Sequence, residues 1–221
     1  MKVLRESRAT DEIEITAVRW QLNEIELAHH MVSYQSQGCH PAQNDTDAVR
    51  LHFGLKGDYN FYYQQLDTNY QLCGSHNNIL YSDGLDMKVY NKSNQIETFG
   101  IDFKPATFIQ IAENGTDALK RLAERVFRKE STILADDWRT NSYKMLQVIR
   151  QIIDAQFAAP LQAIFIWSKS LELLVLQADL YEKDQSRHFI KTRSDKEKLF
   201  AARDFLGQQI ESPPTIRQLA R

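Results

Sequence analysis

An antiparallel β-sandwich or small barrel followed by helices, an α+β order, is what this chain of 221 residues predicts. Three observations carry that expectation. Up to residue 103, short runs rich in Val, Ile, Tyr and Phe are separated by Asn, Asp, Gly and Ser, a spacing of strands rather than of β-α-β units. After Lys104-Pro105 the apolar repeat lengthens to helical spacing. Near the end, two prolines interrupt one helical pattern and a second begins.

Taken in order, the strand-like runs are "IEITAVRW", "VRLHFGLKG", "YNFYYQQL", "NNILY", "DMKVYN" and "IETFGIDF". Asp83-Gly84 is expected to be a turn, since glycine accepts the positive φ of a tight reversal. Pro105 suits a first helical turn, where its missing N–H costs nothing. Thr116 stands as the N-cap of "TDALKRLAERVFRKE", whose Leu119, Leu122, Ala123, Val126 and Phe127 form one stripe. A helix over Trp138 to Phe157 follows, with Leu146, Ile149, Ile153 and Phe157 in register. Pro160 breaks the pattern and "IFIWSKSLELLVLQADLYEKD" resumes it. There Trp167, Leu171, Leu174, Val175, Ala178 and Tyr181 recur at helical spacing, while Ile166, Leu173, Leu176 and Leu180 widen the stripe. A helix apolar over so much of its circumference is covered on more than one side. The six recurring residues are therefore expected to form a homodimer contact, with packing inside the chain as the competing reading.

Composition limits the functional classes. The N-terminus is charged throughout, with no apolar stretch suited to a signal peptide, and no apolar run is read as reaching the about 20 residues of a membrane span. Cys39 and Cys73 do not make a secreted disulfide framework. The chain is therefore expected to be cytoplasmic, with reduced cysteines and no membrane partner. The 27 Lys and Arg against 29 Asp and Glu give a net charge of −2. Residues 185–221 carry eight basic and four acidic side chains, +4, which leaves −6 on residues 1–184. A basic end on an acidic body fits an anionic partner for the end, or simply a solvated helix face.

Catalytic chemistry finds little footing. Gly-x-Ser-x-Gly, phosphate-loop and Cys-x-x-Cys patterns are missing, so no catalytic residue, cofactor or enzymatic activity is expected. His29 and His30 are adjacent and would face opposite sides of a strand. A three-histidine site from His40, His52 and His76 stays open, though none of them has metal-ligand spacing, and no metal is assigned. The aromatic residues point instead to a ligand cavity. Phe53, Tyr59, Phe61, Tyr63, Tyr81 and Tyr90 are the candidate effector-binding residues, with Arg50 as a possible partner for an anionic group. Tyrosines combine apolar walls with a hydroxyl handle, and a small barrel has room for one ligand or for packed side chains.

The C-terminal "LFAARDFLGQQIESPPTIRQLAR" reads as helix, proline-enforced break and new helix, with Thr215 and Gln218 as a capping box. This stretch resembles the start of the helix-turn-helix DNA-binding domain of AraC-type transcriptional regulators. "GSHNNILYSDG" and "FGIDFKPATFIQI" are similar to a subset of them that includes siderophore-responsive members. The resemblance implies a cupin-like jelly-roll barrel for effector binding over residues 1–104 and a helical dimerisation segment over 105–184. A linker over 185–194 and the opening of the DNA-binding domain over 195–221 would follow. It implies a small-molecule effector, siderophore-like or sugar-like, a homodimer, and DNA as partner of the full-length regulator. The recognition helices that would enter the major groove are not in the sequence, so specific DNA binding is not expected of this chain. A cupin-like metal-dependent enzyme and a stand-alone dimeric interaction module are the alternatives.

Overall fold

The computed structural model describes residues 1–185. The chain divides into two units, Met1–Glu182 and Lys183–Arg221, and the first is described here. The expected linker and the helix-turn-helix opening at 195–221 lie outside the described residues.

Eight strands form one continuous antiparallel path. They are β1 (Lys2–Ala9), β2 (Ile13–Gln21), β3 (Ile25–Tyr34), β4 (Cys39–Lys56), β5 (Tyr59–Tyr63), β6 (Thr68–Leu72), β7 (His76–Asn91) and β8 (Gln95–Phe103). Their order in the sheet is β1-β2-β3-β8-β4-β7-β5-β6, and the short β9 (Thr132–Ile133) pairs with β7. Among the described residues four helices follow the barrel strands: α1 (Pro105–Ala112), α2 (Asp117–Phe127), α3 (Tyr143–Ile153) and α4 (Ala159–Gln185). The strands-then-helices order read from the sequence is thus the observed one, and the fold is α+β.

Strand alternation gives the sheet two different faces. On one face Leu27, Val49, Leu51, Phe53, Ile79, Tyr81, Phe99, Ile101 and Phe103 are buried in a single cluster with helix residues such as Phe108, Leu122, Met145, Ile149, Leu173 and Leu174. The other face turns inward, where Tyr34, Tyr59, Phe61, Tyr63, Leu72, Leu85 and Ile96 form a second cluster. Each fully buried Phe or Leu contributes about 1.5–3 kcal/mol of transfer free energy, so both faces are strongly specified.

Several local expectations change. Asp83-Gly84 is no turn, because β7 runs unbroken from His76 to Asn91. Gly84 does have positive φ, 77°, but it sits opposite the register shift between Asn44 and Asp47 of β4. A bulge therefore takes the conformation that a turn would have used. Thr116 caps α2 as expected, its hydroxyl accepting from the Leu119 N–H at 3.5 Å. Phe127, placed in the apolar stripe, is 79% exposed. The helix expected from Trp138 starts only at Tyr143, capped by Ser142, and Trp138 lies in the preceding loop. Pro160 begins α4 rather than breaking a pattern, as a missing N–H permits in a first turn.

α4 is also longer and more apolar than the sequence reading allowed. By length and composition, Ala159–Lys183 is apolar enough to cross a membrane. Here one side of it packs on the core: Ile166, Ser170, Leu173, Leu174, Gln177, Ala178 and Tyr181 are buried, and Glu172 and Asp179 are exposed on the opposite side. That burial revises the dimer face. Leu174, Ala178 and Tyr181 are 2%, 6% and 3% exposed within their own chain, so they are committed to intramolecular packing. Trp167 and Leu171 are half-buried against the same core, and Val175 alone of the six is fully exposed. The physical reason is that the outer sheet face covers one side of the helix.

Candidate effector cavity

The inward face surrounds a cavity of about 310 Å³, within the size range of small-molecule sites. Its walls come from β2 to β8 and are mostly aliphatic and aromatic: Ile13, Val32, Tyr34, Phe61, Leu85 and Ile96 are typical. A second space of about 280 Å³ adjoins it, with Arg19, Glu26, Gln43, Asn44 and Asp102 in its wall. His30, Ala42, Arg50, His52, Leu85, Met87 and Thr98 border both spaces.

Pairing of β3 with β8 sets out this gradient in steps of two residues. Glu26 faces Asp102, Ala28 faces Gly100, His30 faces Thr98, and Val32 faces Ile96. One end is charged and the other apolar. At the charged end Arg50 holds Asp102 with two bonds, Nε–Oδ1 at 2.6 Å and Nη2–Oδ2 at 2.5 Å. Arg19 donates to Glu26 at 3.1 Å. Burial works against the Arg50 charge, but Asp102 outweighs it and the guanidinium stays protonated.

His30, His52 and His76 are held neutral. His30 Nε2 lies 3.3 Å from Arg19 Nη2, and since a guanidinium only donates, the imidazole accepts there. Burial, then the charges of Arg19 and Arg50, push its pKa down to about 4. At the apolar end, His76 Nδ1 lies 2.9 Å from the Gly74 carbonyl, which only accepts. Nδ1 therefore carries the proton and Nε2 accepts from the Tyr59 hydroxyl at 2.9 Å. The Tyr59 oxygen in turn accepts from His52 Nε2 at 3.1 Å. Burial lowers His76 to about 4 and His52 well below the ordinary value, while it raises Tyr59. Trp138 stands edge-on to His52 and His76, with ring centroids 5.4 and 5.5 Å away.

This chain of bonds leads out of the cavity. His76 is followed by Asn77, whose side-chain oxygen accepts from Gln177 Nε2 at 3.2 Å. The Asn77 carbonyl accepts from the Tyr181 hydroxyl at 2.7 Å. Asn77 also pairs with Arg139 through both backbone groups, and the Arg139 guanidinium sits 5.7 Å from the Tyr181 ring centroid. The wall residue Tyr59 is thus two residues of β7 away from α4.

Of the seven effector candidates, Arg50, Tyr59 and Phe61 line the cavity. Phe53 and Tyr81 point to the helix-packed face because strand alternation puts them opposite to Arg50, His52 and Leu80. Tyr63 is fully buried beside the cavity, its hydroxyl donating to the Tyr81 carbonyl at 3.0 Å. Tyr90 is exposed. Arg50 is already paired with Asp102, which the sequence reading did not anticipate. Among the described residues no three His, Cys, Asp or Glu side chains converge on a metal-sized site; His40 bonds Asn91 instead, at 3.2 Å. Both cysteines are free and exposed. Sequence reasoning missed His30, Trp138 and the Asn77 junction. A signal for the last was present: "SHNN" places three polar residues at the start of an apolar strand, and His76, Asn77 and Asn78 are all buried.

The family described as the regulatory protein PchR N-terminal domain matches residues 21–192. The chain belongs to this family. This agrees with the resemblance to AraC-type regulators drawn from the sequence. No curated protein sequence matches the chain. Among solved structures, the AraC-like transcriptional activator CuxR is similar at 6% identity and a TM-score of 0.46, over 79% of this chain and 62% of that one. The pirin YhhW from Escherichia coli, solved with nickel(II), is 15% identical with a TM-score of 0.34, over 46% of this chain and 48% of that one. A cupin superfamily protein from Desulfitobacterium hafniense is 9% identical with a TM-score of 0.34, over 44% of this chain and 82% of that one. The chain thus spans about half the length of the pirin.

Proposed function

We propose that this PchR-type domain is the effector-binding and dimerising part of a cytoplasmic AraC-type transcriptional regulator, and that it has no catalytic role. The carrying observation is the cavity wall residue Tyr59, hydrogen-bonded through His76 to the strand end that α4 grips with Gln177 and Tyr181. A small molecule that fills the cavity bears on Tyr59 and His52, and the β7 start passes the displacement to α4. The ligand acts through its different affinity for two arrangements of barrel and helix. In the full-length regulator, residues 195–221 would open the helix-turn-helix unit that meets DNA. The walls favour a ligand with an apolar body over a sugar, whose hydroxyls would lose water without gaining partners along Ile13, Val32 and Ile96.

In this reading the barrel takes residues 1–104, the helical dimerisation segment 105–184, a linker 185–194 and the start of the helix-turn-helix domain 195–221. A homodimer would form through the exposed side of α4, where Leu161, Ile164 and Val175 stay 60–66% exposed. Ligand binding is tested by melting the protein with small aromatic, siderophore-like and sugar libraries, since a native-state ligand raises Tm. Ala42→Phe, which intrudes on both spaces, should abolish the response. If every library leaves Tm unchanged, the effector reading fails.

A further inference from the structure

The two spaces inside the barrel make opposite demands on one occupant. The larger is walled by Val32, Phe61 and Ile96, and the smaller by two ion pairs, Arg19–Glu26 and Arg50–Asp102. Each cation there already has its carboxylate, and Arg50 and Asp102 are only 21% exposed apiece. His30, whose Nε2 accepts from Arg19, adds no third cation, and burial disfavours a charge on His52. We propose that the barrel takes an amphiphile whose head carries no net charge, its apolar body beside Val32 and Ile96 and its hydrogen-bonding head beside Thr98 and Arg50. This rests on the reading of the barrel as the effector site and adds the charge class of the ligand.

The reason is electrostatic. An anionic head could reach Arg50 only through N–H groups that Asp102 leaves unused, beside that carboxylate and its cross-strand neighbour Glu26, or by displacing Asp102. A cationic head would meet Arg19 and Arg50 while competing for carboxylates they already hold. Either head sets a charge beside its like or leaves one unpaired in a partly buried site where two pairs already balance. A neutral head leaves both pairs intact and is met by the Thr98 hydroxyl and the His30 imidazole, which border both spaces.

Three probes with the same ten-carbon chain isolate the head charge: 1-decanol, decanoate and decylammonium, titrated calorimetrically into the full chain at neutral pH. Decanol is expected to bind about tenfold tighter than either ion or more, and Ala42→Phe to abolish its binding. Asp102→Asn, which releases Arg50, is expected to move the preference to decanoate; the wild-type comparison decides even if that variant does not fold. Should an ion bind as tightly as decanol, with Ala42→Phe abolishing it, the charge inference is overturned and the barrel reading survives. Should no probe bind, the amphiphile inference is overturned, while the barrel reading stands or falls on the melting libraries; should Ala42→Phe leave binding unchanged, both are overturned.

Discussion

Gly54 shows how a single side chain position holds the cavity wall. A Cβ there would lie 2.1 Å from His76 Cε1, well inside van der Waals contact. Gly54→Ala must therefore push the His76 ring away from Tyr59 and its stacking on His52, centroids 5.6 Å apart. The expected cost is about 1–3 kcal/mol, read as a lower urea midpoint at unchanged slope. His76 and His30 set the pH dependence. Both are lowered from the ordinary value of 6.5 to about 4, so between those limits the unfolded chain binds more protons than the folded one. Stability is full above pH 6.5 and falls as pH drops toward 4, where the loss levels off. A urea titration series across that window checks the sign, and stability that rose on acidification would contradict the neutral histidines. His52 shifts in the same direction and deepens the loss. None of this was legible at the residue scale beforehand, because a histidine's burial depends on which strands become its neighbours.

The junction of β7 with α4 is where an element-scale prediction belongs. Gln177→Leu strips Asn77 Oδ1 and the Asn78 carbonyl of a donor inside the core, and an unpaired buried acceptor costs about 1–3 kcal/mol. Tyr181→Phe removes one bond to the Asn77 carbonyl, which keeps the Arg139 N–H at 3.2 Å, so about 1 kcal/mol is expected. Chemical denaturation should rank Gln177→Leu as the worse variant, and the reverse order would mean that the junction is held by the tyrosine instead. Elements themselves were largely legible. Pro105 and Thr116 mark real boundaries, whereas Asp83-Gly84 does not. What escaped were β1, β6 and the first half of β4, which bury few residues, and β3, where the polar His29-His30 pair interrupts the apolar run. Trp138 stood at the expected start of the helix over Trp138 to Phe157, yet it packs in a loop against His52, Phe61 and Tyr70.

Across Met1–Glu182, one sheet separates a helix-packed face from a face that encloses a cavity. The order of barrel and helices was readable from the change of period, but the partition between faces was not. It rests on register, and a shift of one residue would exchange Phe53 and Tyr81 for His52 and Leu80. The same register decides what α4 has left to offer a second copy. With its buried side spent on the sheet, Leu161, Ile164 and Val175 remain exposed and the half-buried Leu171 lies between them, at spacings of three, seven and four residues. These intervals are of the kind that lets two helices mesh about a two-fold axis. Glu172 and Asp179 flank the stripe, which suits a wet rim around a protein contact better than hydrocarbon. Ile164→Glu with Val175→Glu should therefore give a monomer in sedimentation velocity, where the parent chain gives a dimer, while both keep the same circular dichroism. Neither position contributes to the buried core, so loss of the fold is not the expected route to dissociation. A parent chain that sediments as a monomer at every concentration would remove α4 as the dimer contact. It would leave the cavity and its link to Gln177 unchanged.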